Sequence, residues 1–351
     1  MHNKNNLLDR AIGCLLGGAA GDALGAPVEF IDRAEILRRF GPAGIRQYAP
    51  AYGGIGKITD DTQMTLFTAE GCLRVRHHSM KYGIDNSKDI LRNAYMRWLH
   101  TQTSAADKGK GTVDSWLLKQ SALFSRRAPG NTCLSALGRK GGERNNSKGC
   151  GGIMRVAPCG ILHPGDPLAA FNLGSLAAKL THGHPTGYLS AGVFAALIAL
   201  LMDGQSLERA VDTTREILIS FPEHEETLFA LDAAKALARR GEMPEKAIPM
   251  LGEGWIAEEA LAISLYCALI AESLEDGVIM AVNITGDSDS TGAIAGNLLG
   301  ALHGASAIPK QWLDPLELKE VIEAVACDLV HIPDFEPDAD KNEWFGRYPA
   351  N

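Results

Sequence analysis

Four glycines, Gly13, Gly17, Gly21 and Gly25, recur every four residues near the start of the chain, and Gly292, Gly296, Gly300 and Gly304 repeat the pattern near its end. Positions four apart share one face of a helix, so each segment reads as a helix with one bare side. A glycine costs a helix interior about 0.8–1 kcal/mol relative to alanine, so four in one helix cost roughly 3–4 kcal/mol. Something must offset that cost twice over, and a face without side chains lets a second backbone come close. Plain core packing and close pairing of the two helices are compatible readings. Pairing has one further consequence. Asp22 and Glu29 follow the first stripe and Asp287 and Asp289 precede the second, so pairing brings Glu29 near the late acidic residues.

The remaining apolar spacing is helical nearly throughout. Besides the striped segments, roughly 7–24 and 290–305, it predicts helices over roughly 32–39, 61–78, 88–101, 113–124, 167–181, 186–203, 207–219, 225–240, 255–273 and 316–329. Residues 258–271 read as an apolar helix of the protein centre. Residues 277–284 fit helix or strand, and 40–58 and 127–152 read as glycine-rich loops. No 20–50-residue repeat and no linker interrupts the 351 residues, so residues 1–351 are expected to form one all-α domain.

A net charge of −8 argues against nucleic acid or an anionic membrane as a partner. The seven cysteines are odd in number and scattered, with no Cys-x-x-Cys pair, which argues against a disulfide framework or a structural zinc. No signal-peptide run follows Met1, and no stretch of about 18 apolar residues is read, so no membrane span is expected and the expected location is cytoplasmic.

Two clusters carry the chemistry. Ile58-Thr59-Asp60-Asp61-Thr62 and Gly286-Asp287-Ser288-Asp289-Ser290-Thr291-Gly292 each pack two carboxylates and at least two hydroxyls into a few residues. Oxygen-only sets suit hard cations such as Mg²⁺, Mn²⁺ or Ca²⁺. Taken alone, Asp60 with Gln63 three residues on fits a helix capping box better than a metal site. Capping requires neither the second aspartate nor Thr59, and adjacent carboxylates repel unless a cation or hydrogen bonds compensate. The late cluster fails as an EF-hand loop, because Leu298 stands where a bidentate glutamate is needed. Its Asp-x-Asp-x-Thr order also resembles the haloacid-dehalogenase nucleophile motif, which belongs at the end of an early strand in an α/β fold. The remaining reading is a metal site at a helix N-terminus, with Ser290 or Thr291 adding a hydroxyl.

Two further segments are suggestive. Gly149-Cys150-Gly151-Gly152-Ile153-Met154-Arg155 is a glycine-rich loop of the kind whose backbone N–H groups bind phosphate, although a plain turn is the commoner explanation. Thr181-His182-Gly183-His184-Pro185 puts two histidines at a helix break, where the spacing suits a ligand contact and a surface or capping role is the commoner one.

In chain order, Gly13 to Gly25 with Glu29, Thr59 to Thr62, Gly151 to Pro158, Thr181-His182 and Gly286 to Gly304 resemble the ADP-ribosylglycohydrolase family, including the dinitrogenase reductase-activating glycohydrolases. The resemblance spans nearly the whole chain. It implies a single compact orthogonal helical domain with two Mg²⁺ ions, or Mn²⁺ in their place, in a cleft. It implies Thr59, Asp60, Asp61, Asp287, Asp289 and Ser290 as ligands, with Ser290 where the family usually has threonine. Glu29 matches a family glutamate and is the expected acid/base or water-positioning group. Gly149, Cys150, Gly151, Gly152, Met154 and His182 match positions that contact ADP-ribose, with Cys150 where asparagine is common. Asp107 and Asp114 lie where some members place a further functional aspartate, and neither is assigned.

The implied activity is metal-dependent cleavage of the glycosidic bond between ADP-ribose and a protein side chain, through an oxocarbenium-like state at C1″. Two cations would orient the ribose hydroxyls and polarise water or the leaving group, Glu29 would move the proton, and the glycine loop would hold the diphosphate. The expected partner is an ADP-ribosylated protein, with an ADP-ribosyltransferase toxin as a second candidate, and the expected state is a monomer. The alternatives are a catalytically silent binding or immunity protein of the same fold and a two-metal phosphohydrolase.

Overall fold

The computed structural model describes residues 2–103, 115–332 and 343–350. Asp107 and Asp114 lie outside the described residues. In chain order the α-helices are α1 (His2–Gly25), α2 (Arg33–Phe40), α3 (Asp60–Tyr82), α4 (Ser87–Thr103), α5 (Asn131–Gly138), α6 (Ala157–Ile161), α7 (Pro167–Lys179) and α8 (Pro185–Met202). They continue with α9 (Leu207–Leu218), α10 (Glu225–Arg239), α11 (Pro244–Leu251), α12 (Ala257–Ile270), α13 (Leu274–Val282), α14 (Ser288–His303), α15 (Lys310–Leu313), α16 (Lys319–His331) and α17 (Glu343–Arg347). Among the described residues there is no strand, only isolated bridges Ala51–Gly54 and Gly149–Ile256. The fold is all-α, as the spacing predicts.

The two glycine stripes pack on each other. A methyl group added at Gly17 would fall closer than 3.0 Å to the Gly296 carbonyl oxygen, one at Gly21 to that of Gly292, and one at Gly25 to that of Ser288. The partner number falls by four as the glycine number rises by four, so α1 and α14 run antiparallel. The C-terminal end of α1 therefore meets the N-terminal end of α14. Asn297 fixes the register by donating its amide to the Cys14 carbonyl (2.7 Å).

Several expectations need correction. Residues 115–124 hold two short 3₁₀ turns, Leu117–Lys119 and Ser121–Leu123, rather than the predicted helix 113–124, because Gln120 between them is extended (φ −87°, ψ 101°). The ambiguous 277–284 stretch is helical through Val282, as the end of α13, whose N-cap Ser273 accepts from the Asp276 N–H (3.1 Å). The loop 127–152 contains α5. The predicted 255–273 helix starts only at Ala257, since Trp255 and Ile256 pair with the glycine loop. Helix α8, at 18 residues, is long and apolar enough to cross a membrane by length and composition, against the expectation of no such stretch. It is a core helix: from Leu189 to Met202 every residue is buried.

Candidate metal centre

The first cluster is held by a residue from α1 that the motif reading left without a role. Asp22 is fully buried. Its carboxylate accepts from the Thr59 N–H (3.0 Å to each oxygen), the Thr62 N–H (3.1 Å) and the Thr62 hydroxyl (2.5 Å). A carboxylate at the N-terminus of α3 also meets the positive end of that helix. The capping-box reading of Asp60 and Gln63 is overturned. The N-cap is Thr59, whose hydroxyl accepts from the Asp61 N–H (3.3 Å). The Gln63 side chain donates to the Ser125 carbonyl and accepts from Trp98 and Gln102, so it cannot reach back to the helix start. That leaves the Asp60 and Asp61 carboxylates free of the capping role. Asp60 accepts from the Gly130 N–H (3.2 Å), and Asp61 Oδ2 is buried without a hydrogen-bond partner.

The second cluster opens α14. Asp287 is its N-cap, accepting from the Ser290 N–H (3.4 Å), and Asp289 accepts from the same N–H (3.0 Å). Thr291 spends its hydroxyl on the Asp287 and Ala281 carbonyls (2.8 Å each), which leaves Ser290 as the hydroxyl not tied to main chain. Stripe packing brings Glu29 here: carboxylate oxygens of Glu29, Asp287 and Asp289 lie within 4.8 Å of one another. Glu29 Oε2 has no hydrogen-bond partner.

Six carboxylates, Asp22, Glu29, Asp60, Asp61, Asp287 and Asp289, are therefore buried together. Burial raises all their pKa values, Asp22 to about 7 and Glu29 far above the usual carboxylate range. For Asp22, Glu29, Asp60, Asp61 and Asp287 the largest charge effect comes from Asp289, and the leading charge effects on them all come from other acids. Buried like charges with orphaned oxygens fit a divalent cation, which takes hard oxygen ligands and supplies the missing positive charge.

The glycine loop closes one side. Cys150 donates its thiol to Asp287 Oδ2 (2.7 Å), and its N–H donates to the Trp255 carbonyl (3.1 Å). Gly149, Gly151 and Gly152 lie against the His182 ring, where a methyl group on any of them would sit 3.3–3.4 Å from it. His182 is only 1% exposed and its Nδ1 is 2.8 Å from the Thr181 hydroxyl, which also accepts from Arg155 (2.7 Å). Burial and then Arg155 push its pKa down to about 3, so it is neutral and supports the loop from beneath. Met154 is buried beside Ser290, 4.0 Å from sulfur to hydroxyl. At the mouth, exposed Phe30 stacks on Trp255 (centroids 6.0 Å apart). Tyr52 holds a left-handed backbone (φ 49°) close enough that Glu29 and Asp289 raise its pKa, after burial. Neither aromatic contact had a sequence signal, since the partners are far apart in the chain.

The raised pKa values fix the sign of a pH effect. Asp22 titrates near 4 when unfolded and near 7 when folded, so the folded metal-free protein holds extra protons between those values. Stability is unaffected below about pH 4 and falls as pH rises through about 7. A bound cation requires the deprotonated carboxylates, so Mg²⁺ is expected to raise the unfolding midpoint more at pH 8 than at pH 5.5. Thermal melts with Mg²⁺ and with chelator at both pH values test this. Equal shifts at both would mean the cluster is not where Mg²⁺ binds.

A family model described as ADP-ribosylglycohydrolase matches residues 3–337. The ADP-ribosyl-(dinitrogen reductase) glycohydrolase of Rhodospirillum rubrum is 25% identical over 89% of this chain and 91% of its own. An ADP-ribosylarginine hydrolase of Pseudomonas putida is 26% identical, covering 92% of this chain and 78% of its own. A solved structure titled ADP-ribosylglycohydrolase-related protein complex superimposes with a TM-score of 0.67 at 27% identity, over 93% of this chain and 99% of that one.

Proposed function

The chain belongs to the ADP-ribosylglycohydrolase family, hydrolases of glycosyl bonds, and from that membership we propose that it uses divalent metal to release ADP-ribose from a modified protein side chain. The observation that carries the metal reading is the buried meeting of Glu29 with Asp287 and Asp289 at the end of the paired stripes. Thr59, Asp60, Asp61, Asp287, Asp289 and Ser290 would hold two Mg²⁺ ions, with Mn²⁺ as the alternative. When bound, such ions would supply Lewis-acid stabilisation and orientation of ribose hydroxyls.

The chain's own groups do the rest. Asp22 holds the start of α3 in place, so that Thr59, Asp60 and Asp61 reach the site from a fixed helix end. Glu29 sits within carboxylate reach of Asp287 and Asp289 and carries a proton readily, which suits it to exchange one with the leaving side chain or with water. Within the loop, Gly151 and Gly152, bare of Cβ atoms against His182, would offer their N–H groups to the diphosphate, while the Gly149 and Cys150 N–H groups are spent on Ser147 and Trp255. The exposed Phe30–Trp255 stack offers an aromatic face to the nucleotide end.

ADP-ribosylarginine and ADP-ribosylserine peptides incubated with Mg²⁺, Mn²⁺ or chelator test the reading, with a phosphate monoester alongside. The expected result is release of free ADP-ribose with metal and none with chelator. Phosphate release alone would favour a phosphohydrolase, and no turnover would favour a silent binding protein.

A further inference from the structure

Beside the acidic centre lies a second cavity of about 440 Å³, lined by Phe229, Ala233, Met250, Leu251, Glu258 and Ala262, with Glu225, Glu226 and Glu259 on its rim. Folding does not account for its composition. Phe229 is 78% exposed and Met250 70%, so two large apolar side chains stand uncovered around it. Its carboxylates outnumber their cations. Lys148 is shared by Glu226 (2.9 Å) and Glu258, and Glu259 accepts only main-chain N–H groups, from Glu253 (3.0 Å) and Gly254 (3.2 Å). Glu258 is 8% exposed, yet its Oε2 is buried without a hydrogen-bond partner.

An apolar floor with an unsatisfied buried carboxylate and an acidic rim matches one kind of group, a basic side chain whose methylene stem packs while its charged head pairs. The volume falls within the roughly 300–1,000 Å³ of small-ligand pockets, room for such a side chain with its adjoining backbone. Location supplies the context. The pairing of the glycine loop with the segment before α12 links this cavity to the acidic centre. The Lys148 carbonyl accepts from the Ala257 N–H (2.8 Å), Gly149 bridges Ile256, and the Trp255 carbonyl accepts from the Cys150 N–H (3.1 Å). Lys148 faces the cavity carboxylates on one side of that pairing, and Cys150 touches Asp287 on the other.

We propose that this cavity docks an arginine or lysine side chain of the substrate protein that flanks the modified residue. This rests on the modified-protein reading above, and the test separates the two. Two probes need no hydrolysis: acetyl-arginine amide and its neutral counterpart acetyl-citrulline amide, followed by ligand-observed NMR with Mg²⁺ present. The arginine probe is expected to bind at least about fivefold tighter, with the preference lost in Glu258→Gln and weakened in Phe229→Ala and Met250→Ala, whose side chains are exposed and whose loss does not threaten folding. In the kinetic arm, ADP-ribosylated peptides with a flanking arginine are expected to show a KM about tenfold below those with glutamine, a ratio that collapses toward one in Glu258→Gln. If neither peptide is hydrolysed but the probe preference and its loss in the variants hold, the enzymatic reading fails and the basic-side-chain site stands. If hydrolysis proceeds with equal KM and the probes bind equally, the docking proposal is overturned. It is also overturned if Phe229→Ala converts a dimer to a monomer without changing the peptide ratio, because the face would then belong to a second copy.

Discussion

Asp289→Asn is expected to lower metal-dependent hydrolysis by about a thousandfold or more, some 4 kcal/mol in barrier, while making the metal-free protein more stable. The two effects have one cause. Asp289 exerts the largest charge effect on each of the five other buried carboxylates. Without a cation, its charge raises the free energy of all of them, and an amide in its place relieves the repulsion. The substitution keeps an oxygen that accepts from the Ser290 N–H (3.0 Å), so the first turn of α14 survives. With a cation held as proposed, the same change would remove one of its ligands. A site built for function carries this signature, in which the group that destabilises the empty fold is the one the chemistry needs. In chelator, the midpoint is expected to rise by about 2–5 °C. With Mg²⁺, the stabilisation seen in the wild type should largely vanish. Activity within tenfold of wild type, or a lower midpoint in chelator, would remove the metal role from Asp289.

The contrast between what the residues disclosed and what they hid follows sequence distance. The stripes at Gly13 to Gly25 and Gly292 to Gly304 disclosed a pairing some 280 residues apart, because a costly face with a fixed period implies a partner of the same kind. They also led to Glu29 beside Asp287 and Asp289. Asp22 was visible as an acid but not as the anchor of the first cluster. Its partners, Thr59 and Thr62, lie 37 and 40 residues away, with no periodic signal joining them. The capping box failed for the converse reason. Its spacing was right locally, but Gln63 is drawn off by Ser125, Trp98 and Gln102, contacts that exist only after the chain has folded. The spacing predicts the helix at 186–203 but not its span-length apolarity, because glycine, serine and alanine residues dilute the hydrophobic run, although every residue from Leu189 to Met202 is buried. Leu117 and Leu123 are both buried, but positions six apart fall on different faces of a helix, and two short turns bury both side chains instead.

Gly296→Ala should destabilise the protein by about 2–4 kcal/mol in urea or thermal unfolding. Helix propensity alone predicts the opposite, a gain of about 0.8–1 kcal/mol. Packing overrides it. The added carbon would lie 2.6 Å from the Gly17 carbonyl carbon and 3.0 Å from the Gly18 nitrogen, and it would clash with the Gly17 oxygen. These are backbone atoms inside α1, which cannot rotate away as a side chain does, so the two helices must part. Gly138→Ala supplies the control: Gly138 is also helical, but nothing lies within 4 Å of an added carbon, and that variant should be neutral or slightly stabilised. Parting the helices also moves Glu29 on the α1 side away from Asp287 and Asp289 on the α14 side. Gly296→Ala should therefore weaken Mg²⁺-induced stabilisation as well as the fold, although residue 296 lies two helical turns from the acidic residues. Adding Gly17→Ala to Gly296→Ala should cost less than the two singles summed, because the first methyl group has already opened the gap that the second would fill. Full additivity, or a Gly296→Ala protein as stable as the wild type, would mean that the stripes do not hold the two halves of the site together.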